Sequence, residues 1–244
     1  MRKMKRKKWD DKRVYGSFHD IPPRDYMYFP RGIIEVSKPG KFSKVEIRHL
    51  LISMSLLTLA FAFALTPFNL RMGFNIDRFP LGLMASFLAI VTAFFFHEIS
   101  HKFMAQKHGL WAEYRMYPQG LFLALILGIS LGFVFAAPGA VMFRGGSRDF
   151  ETGKIAMAGP LANIIISIIM LPILLFVVFE EPVLSYIVGL VCLINAFLAV
   201  FNLLPFGPLD GTKIIRWNAT VWIIMLIISA GLLITIMSKM PVYS

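Results

Sequence analysis

Cysteine is nearly missing. Cys192 is the single one in 244 residues and sits inside an apolar run, so there is no disulfide framework and no Cys-based metal site. Its expected place is in the packing of a core or against lipid. Charge is scarce as well: 16% of residues are charged against 57% hydrophobic, with a mean hydropathy of +0.68. That leaves too little polar side chain to cover a soluble globule of this length, which excludes a water-soluble domain and leaves a polytopic membrane protein. A cleavable signal peptide is not expected, because the first apolar run starts only near Leu50, behind a basic tail. Gly145-Gly146, between Arg144 and Arg148, lacks the strand-glycine-helix setting of a phosphate loop and reads as an ordinary loop.

What charge there is falls unevenly. The net charge is +11, and Met1 to His49 hold 14 of the 25 Lys and Arg against six acidic residues. A basic run next to a first span sets orientation, holding the amino terminus in the cytoplasm and touching anionic lipid. No nucleic-acid partner is expected. Pro22-Pro23, Pro30 and Pro39-Gly40 punctuate this segment, which has room for a short strand over Gly32 to Val36 but no core of its own. Residues 1–49 therefore read as a basic cytoplasmic tail or small lid, and 50–244 as a transmembrane domain of a multi-pass protein in a prokaryotic cell membrane.

Apolar runs of bilayer length predict spans over Leu50 to Leu70, Leu81 to about Phe103, Ile155 to Phe179, Val183 to Leu204 and Thr220 to Ser238. Gly120 to Phe143 is long enough to cross, yet Gly128, Gly132, Pro138 and Gly139 interrupt it. If it crosses once, Asp210 falls on the opposite side of the membrane from His97. If it re-enters and returns, Asp210 comes back to the depth of the histidines. Charge favours the second topology: Lys102, Lys107, Arg115, Arg144, Arg148, Lys154, Lys213 and Arg216 then all lie on the cytoplasmic side, and the acidic turn Glu180-Glu181-Pro182 lies outside. The expected fold is an all-α polytopic membrane protein with five to six transmembrane helices and a re-entrant segment.

The second span ends in His97-Glu98-Ile99-Ser100-His101. Membrane spans rarely carry ionisable side chains, so three at one helix end point to a site. An α-helix advances about 100° per residue, which puts His97 and His101 one above the other on one face, able to grip a single metal ion. Glu98 lies to the side, placed to take a proton from water at the metal without being a ligand. Surface histidines capping a helix end are the bland alternative. Further on, Gly159-Pro160-Leu161-Ala162-Asn163 starts a helix with Asn163 in its first turn. The Asn163 amide is either interhelical glue or a contact for an extended substrate backbone or an oxyanion. In Asn202-Leu203-Leu204-Pro205-Phe206-Gly207-Pro208-Leu209-Asp210-Gly211, the prolines and Gly207 must break the helix, and irregular backbone at membrane depth survives only in protein or beside a wet cavity. Asp210 is thereby available to a metal, unless it merely caps the following helix. Two histidines and a carboxylate with an open fourth position form a catalytic zinc set. Asn202 is a second candidate for the oxyanion.

Taken in order, these three motifs resemble the site-2 protease family of intramembrane zinc metalloproteases over about Leu81 to Arg216. The resemblance implies a three-helix catalytic core, Zn2+ held by His97, His101 and Asp210, Glu98 as catalytic base, and membrane-spanning protein substrates. The chain departs from a minimal core in the longer apolar insertion between Tyr114 and Lys154, and no stretch is long enough for an inserted PDZ or cystathionine-synthase-like domain. A helical substrate must unwind locally before its carbonyls are open to attack, and an apolar strand near Phe133 to Phe143 can pair with the unwound segment. Two other classes compete. A metal transporter would line a whole pathway with polar groups, whereas these cluster at one depth. A non-catalytic zinc-binding relative acting as a partner-binding scaffold would not need Glu98.

Overall fold

The computed structural model describes residues 40–66, 77–134, 138–144, 149–176 and 181–239. The basic tail before Gly40, the strand expected at residues 32–36, the loop at residues 145–148 and the first residue of the acidic turn at Glu180 lie outside the described residues.

Among the described residues, five helices are long and apolar enough to cross a membrane. The first, α1 (Lys44–Leu65), starts earlier than its apolar run because Ser43 caps it, its hydroxyl accepting from the Glu46 N–H, and because Glu46 is buried rather than solvated. The second span runs over Phe79–Lys107. It is α2 (Phe79–Ile90), a π-helical turn over Val91–Phe95, and α3 (Phe96–Lys107). The remaining spans lie in α5 (Asp149–Phe176), α6 (Pro182–Asn202) and α8 (Ala219–Lys239). Between the last two, Pro205, Gly207 and Pro208 stop α6, and the chain restarts as the short helix α7 (Asp210–Trp217).

The stretch after α3 departs from a purely helical fold. It forms strand β1 (Trp111–Met116), helix α4 (Pro118–Leu131) and strand β2 (Gly139–Arg144), and the strands pair antiparallel with Trp111 opposite Arg144 and Met116 opposite Gly139. At 14 residues, α4 is about 21 Å long, short of a ~30 Å hydrocarbon core. Because both ends of the excursion belong to one sheet, the chain leaves and returns to the same place rather than crossing. Against α1, a methyl on Gly128 of α4 would lie 3.0 Å from the carbonyl carbon of Ala60, so only glycine allows this backbone approach.

Two apolar clusters flank the middle of the molecule. Leu57, Phe94, Tyr114 and Leu121 join α1, the π turn, β1 and α4, while Ile164, Leu203, Ile214 and Met225 join α5 to α8. Cys192 is fully buried beside Leu174, Ala196 and Ile236, as a packing residue.

The entry of α1 is fastened to the end of α3 and to the edge of β1. Glu46 and Lys102 are both 0% exposed and form an ion pair, with the Lys102 ammonium 4.0 Å from the Phe42 ring centroid. The other Glu46 oxygen accepts from the Tyr114 N–H at 3.0 Å, and His49 Nδ1 accepts from the Met116 N–H at 3.4 Å. These side chains cover the β1 edge. Lys102, counted by its charge on the cytoplasmic side, is thus an interior clamp. Glu46→Ala leaves that ammonium buried without its anion, so a loss of about 3–5 kcal/mol is expected, read as a shift in denaturant or thermal unfolding. Tyr114 is fully buried, which raises its phenol pKa, so the hydroxyl stays protonated and donates to the Pro138 carbonyl at 2.9 Å.

Candidate metal centre

α3 brings His97 and His101 to one face, four residues apart, with their Nε2 atoms 3.0 Å from each other. Asp210, the first residue of α7, points its Oδ2 at both, 3.5 Å from His97 Nε2 and 3.1 Å from His101 Nε2. All three residues are buried, and their ligand atoms lie within 4.8 Å of one another. The broken backbone from Pro205 to Pro208 is what turns Asp210 back toward α3, across more than a hundred positions of sequence.

The hydrogen bonds behind the imidazoles show what this cradle fits. His101 Nδ1 lies 2.7 Å from the carbonyl oxygen of Ile155, which can only accept, so that nitrogen carries the proton. His97 Nδ1 lies 2.6 Å from Asn163 Oδ1 and donates to it. In the neutral rings this leaves both Nε2 lone pairs facing each other and a carboxylate in a buried site. Such a concentration of electron density is repulsive alone and favourable around a cation. Donors 3.0 to 3.5 Å apart match the roughly 3.3 Å between tetrahedral ligands at zinc–nitrogen distances of about 2.0–2.1 Å. Two nitrogens and one oxygen at these distances are a donor set that fits Zn2+.

Close packing of α5 completes the cradle. A methyl on Gly159 would meet His101 Nε2 and lie 2.7 Å from Cε1 of each imidazole, so glycine is what lets α5 rest on the rings. Glu98 is 8% exposed, and its Oε2 accepts from the Val141 N–H of β2 at 3.1 Å. It stands beside the ligand trio, between α3 and the outer edge of the sheet. Asp210 Oδ1 accepts from Lys213 Nζ at 3.2 Å, one turn along α7, and the amino end of that helix further favours the anion.

Of the two readings open for Asn163, its bonds match interhelical glue. Asn163 is fully buried with both amide hydrogens used inside the protein, one to the Ala93 carbonyl at 2.8 Å and one to Asn195 Oδ1 at 3.0 Å. It has no N–H left for an oxyanion or a substrate carbonyl, and its contact is with the back of His97. Asn202, on the last turn of α6, donates to the Leu198 carbonyl of its own helix at 3.0 Å. Several site groups have no signature in the sequence: the Ile155 carbonyl and the Val141 N–H are backbone. Lys213 entered the sequence reading only as a cytoplasmic-side charge, and Asn195 not at all.

No family model matches the chain, and no solved structure matches it. Curated relatives do. A protein of Methanocaldococcus jannaschii named "Putative zinc metalloprotease MJ0611" is 37% identical over 187 residues, covering 76% of this chain and 91% of that protein. "Putative zinc metalloprotease YwhC" of Bacillus subtilis is 30% identical over 164 residues, covering 57% of this chain and 73% of that protein. "Zinc metalloprotease MJ0392", also from M. jannaschii, is 29% identical over 131 residues, a third of its own length. With a ligand trio suited to Zn2+ inside a bundle of membrane-length helices, and a relative matched across nine-tenths of its length, this chain belongs to that zinc metalloprotease family.

Proposed function

We propose that the protein is an intramembrane zinc endopeptidase of the site-2 protease type, cutting membrane-spanning protein substrates near the cytoplasmic side of the cell membrane. The observation that carries this reading is the convergence of His97, His101 and Asp210 at the end of a membrane-length helix, with the Glu98 carboxylate beside them. The amino-terminal end of α1 lies against the end of α3, where the Gly40 N–H donates to Gln106 Oε1 at 2.9 Å, so a cytoplasmic tail and a cytoplasmic-side site go together.

His97, His101 and Asp210 would hold the zinc. When bound, it supplies Lewis-acid polarisation of a carbonyl and a more acidic water. Glu98 takes the proton of the attacking water and returns it to the leaving amine, while the Val141 N–H holds its Oε2 in place. Burial keeps bulk water away from all of these groups, which strengthens every charge interaction among them.

The sheet supplies a way to present the substrate. Tyr114 turns its N–H away from β2 toward Glu46, and its register partner Val141 turns its N–H away from β1 toward Glu98. The outer edge of β2 therefore faces the site. A substrate segment unwound from its helix can add to that edge as an extended strand, which lays its carbonyls beside Glu98 and the ligand trio.

The test is incubation of the purified full chain with a single-span substrate in bilayers, with and without a zinc chelator, followed by zinc return. Cleavage inside or at the cytoplasmic end of the span, lost with chelator and restored by zinc, is the expected result. Cleavage that continues after zinc removal, or that falls only in soluble loops, contradicts the reading.

A further inference from the structure

Behind the metal ligands runs a line of buried polar groups that the chemistry itself does not touch. It begins on α6, where Asn195 is 0% exposed in an otherwise apolar stretch. Its Nδ2 donates to the Val191 carbonyl at 2.8 Å and to Thr92 Oγ1 at 3.0 Å, and its Oδ1 accepts from Asn163 Nδ2 at 3.0 Å. Asn163 in turn reaches His97.

We infer that Asn195 is a positioning residue for the metal centre: acting through Asn163, it holds His97 in the tautomer whose Nε2 lone pair faces the cation. This rests on the zinc reading above, but it concerns the ligand and not the cleavage.

The direction of every bond in the line is forced by groups that cannot reverse. A backbone carbonyl only accepts, so Val191 requires the amide nitrogen of Asn195 on its side. Thr92 agrees: its single hydroxyl hydrogen goes to the Leu88 or Ala89 carbonyl, at 2.9 and 3.0 Å, so its oxygen can only accept from Asn195. With its nitrogen committed, Asn195 presents oxygen to Asn163. Asn163 must answer with its own nitrogen, whose second hydrogen meets the Ala93 carbonyl. Only the Asn163 oxygen is then left for His97, and an oxygen there places the proton on His97 Nδ1. Turning over either amide would set oxygen against oxygen at Val191 or Ala93, a buried clash of acceptors. Thr92 and Ala93 both lie in the π-helical turn over Val91–Phe95, one turn before His97. The wide turn brings a hydroxyl and a carbonyl of the same span to opposite ends of the two amides.

Mere helix-to-helix adhesion is the competing role for a buried asparagine in a membrane protein. The two separate by what is measured. In the full-length protein, Asn195→Leu removes both the donor to Val191 and the acceptor for Asn163, whereas Asn195→Asp, neutral and buried, keeps one of each. Zinc affinity is read by chelator competition, and the His97 tautomer by 15N chemical shifts in zinc-free protein. The expected outcome is about a 10-fold weaker zinc affinity for Asn195→Leu, at the lower end of outer-shell effects, with a mixed His97 tautomer. Asn195→Asp should stay within a few-fold of the parent with the Nδ1–H form retained. Thr92→Val, which deletes one of the two groups that orient Asn195, should shift the tautomer in the same direction and serves where the leucine variant does not fold. Unchanged zinc affinity and tautomer in Asn195→Leu or Thr92→Val, or equal losses in the aspartate and leucine variants, overturns the inference. A parent protein that binds zinc in the Nδ1–H form and cleaves nothing counts against the protease reading alone.

Discussion

Glu98→Gln is expected to keep its zinc and lose its hydrolysis. Gln has the same shape, and its amide oxygen can still accept from the Val141 N–H, so β2 and the helix end should stay in place. What disappears is a carboxylate able to take a proton. General-base catalysis contributes about 10²- to 10⁴-fold, and kcat should fall by that amount while the zinc dissociation constant barely moves. Turnover of a single-span substrate beside zinc titration of the same sample measures both. Product formed at the parent rate would remove Glu98 from the mechanism, and loss of zinc together with turnover would make it a ligand or support instead.

Gly159→Ala is expected to lose zinc and turnover together, emptying the site while the helices remain folded. The added methyl falls 2.7 Å from Cε1 of both imidazoles, and no rotamer can move a Cβ aside. Either α5 backs away from α3, carrying Asn163 and the Ile155 carbonyl with it, or the rings turn and take their Nε2 atoms out of line with Asp210. Overpacking of this kind costs about 1–3 kcal/mol in stability, which a five-span bundle can absorb. A misplacement near 1 Å at the reacting centre costs about 10² in rate, and turnover should fall at least that far. Metal content by mass spectrometry and thermal unfolding make the measurement. Full zinc occupancy with parental turnover would show that α5 does not press on the imidazoles.

The spans were legible because hydrocarbon leaves so few choices. Apolar runs near Leu81, Val183 and Thr220 match α2, α6 and α8 to within two residues at their starts. The start of α1 was not, because Glu46, Arg48 and His49 interrupt the apolar run, and only burial of the Glu46–Lys102 pair shows that they belong to it. The convergence of Asp210 on His97 and His101 followed from the helix-breaking prolines and the need for both motifs to sit at one depth. The return of residues 118–144 to their starting point followed from the same parity, while the strand Trp111–Met116 that anchors it carries a Glu and an Arg and gave no signal. Asn163 was legible only in part. Its identity marked it as important, but whether its amide faces substrate or histidine depends on the Ala93 carbonyl and on Asn195, partners that no local sequence pattern encodes.

The most direct measurement of the central claim is zinc-edge X-ray absorption on the purified, zinc-loaded chain, repeated for Asp210→Asn. The account predicts one zinc per chain with two imidazole nitrogens, light oxygen donors and no sulfur, and weaker binding in the variant. A sulfur scatterer, a single imidazole, or a spectrum and affinity that Asp210→Asn leaves unchanged would contradict it.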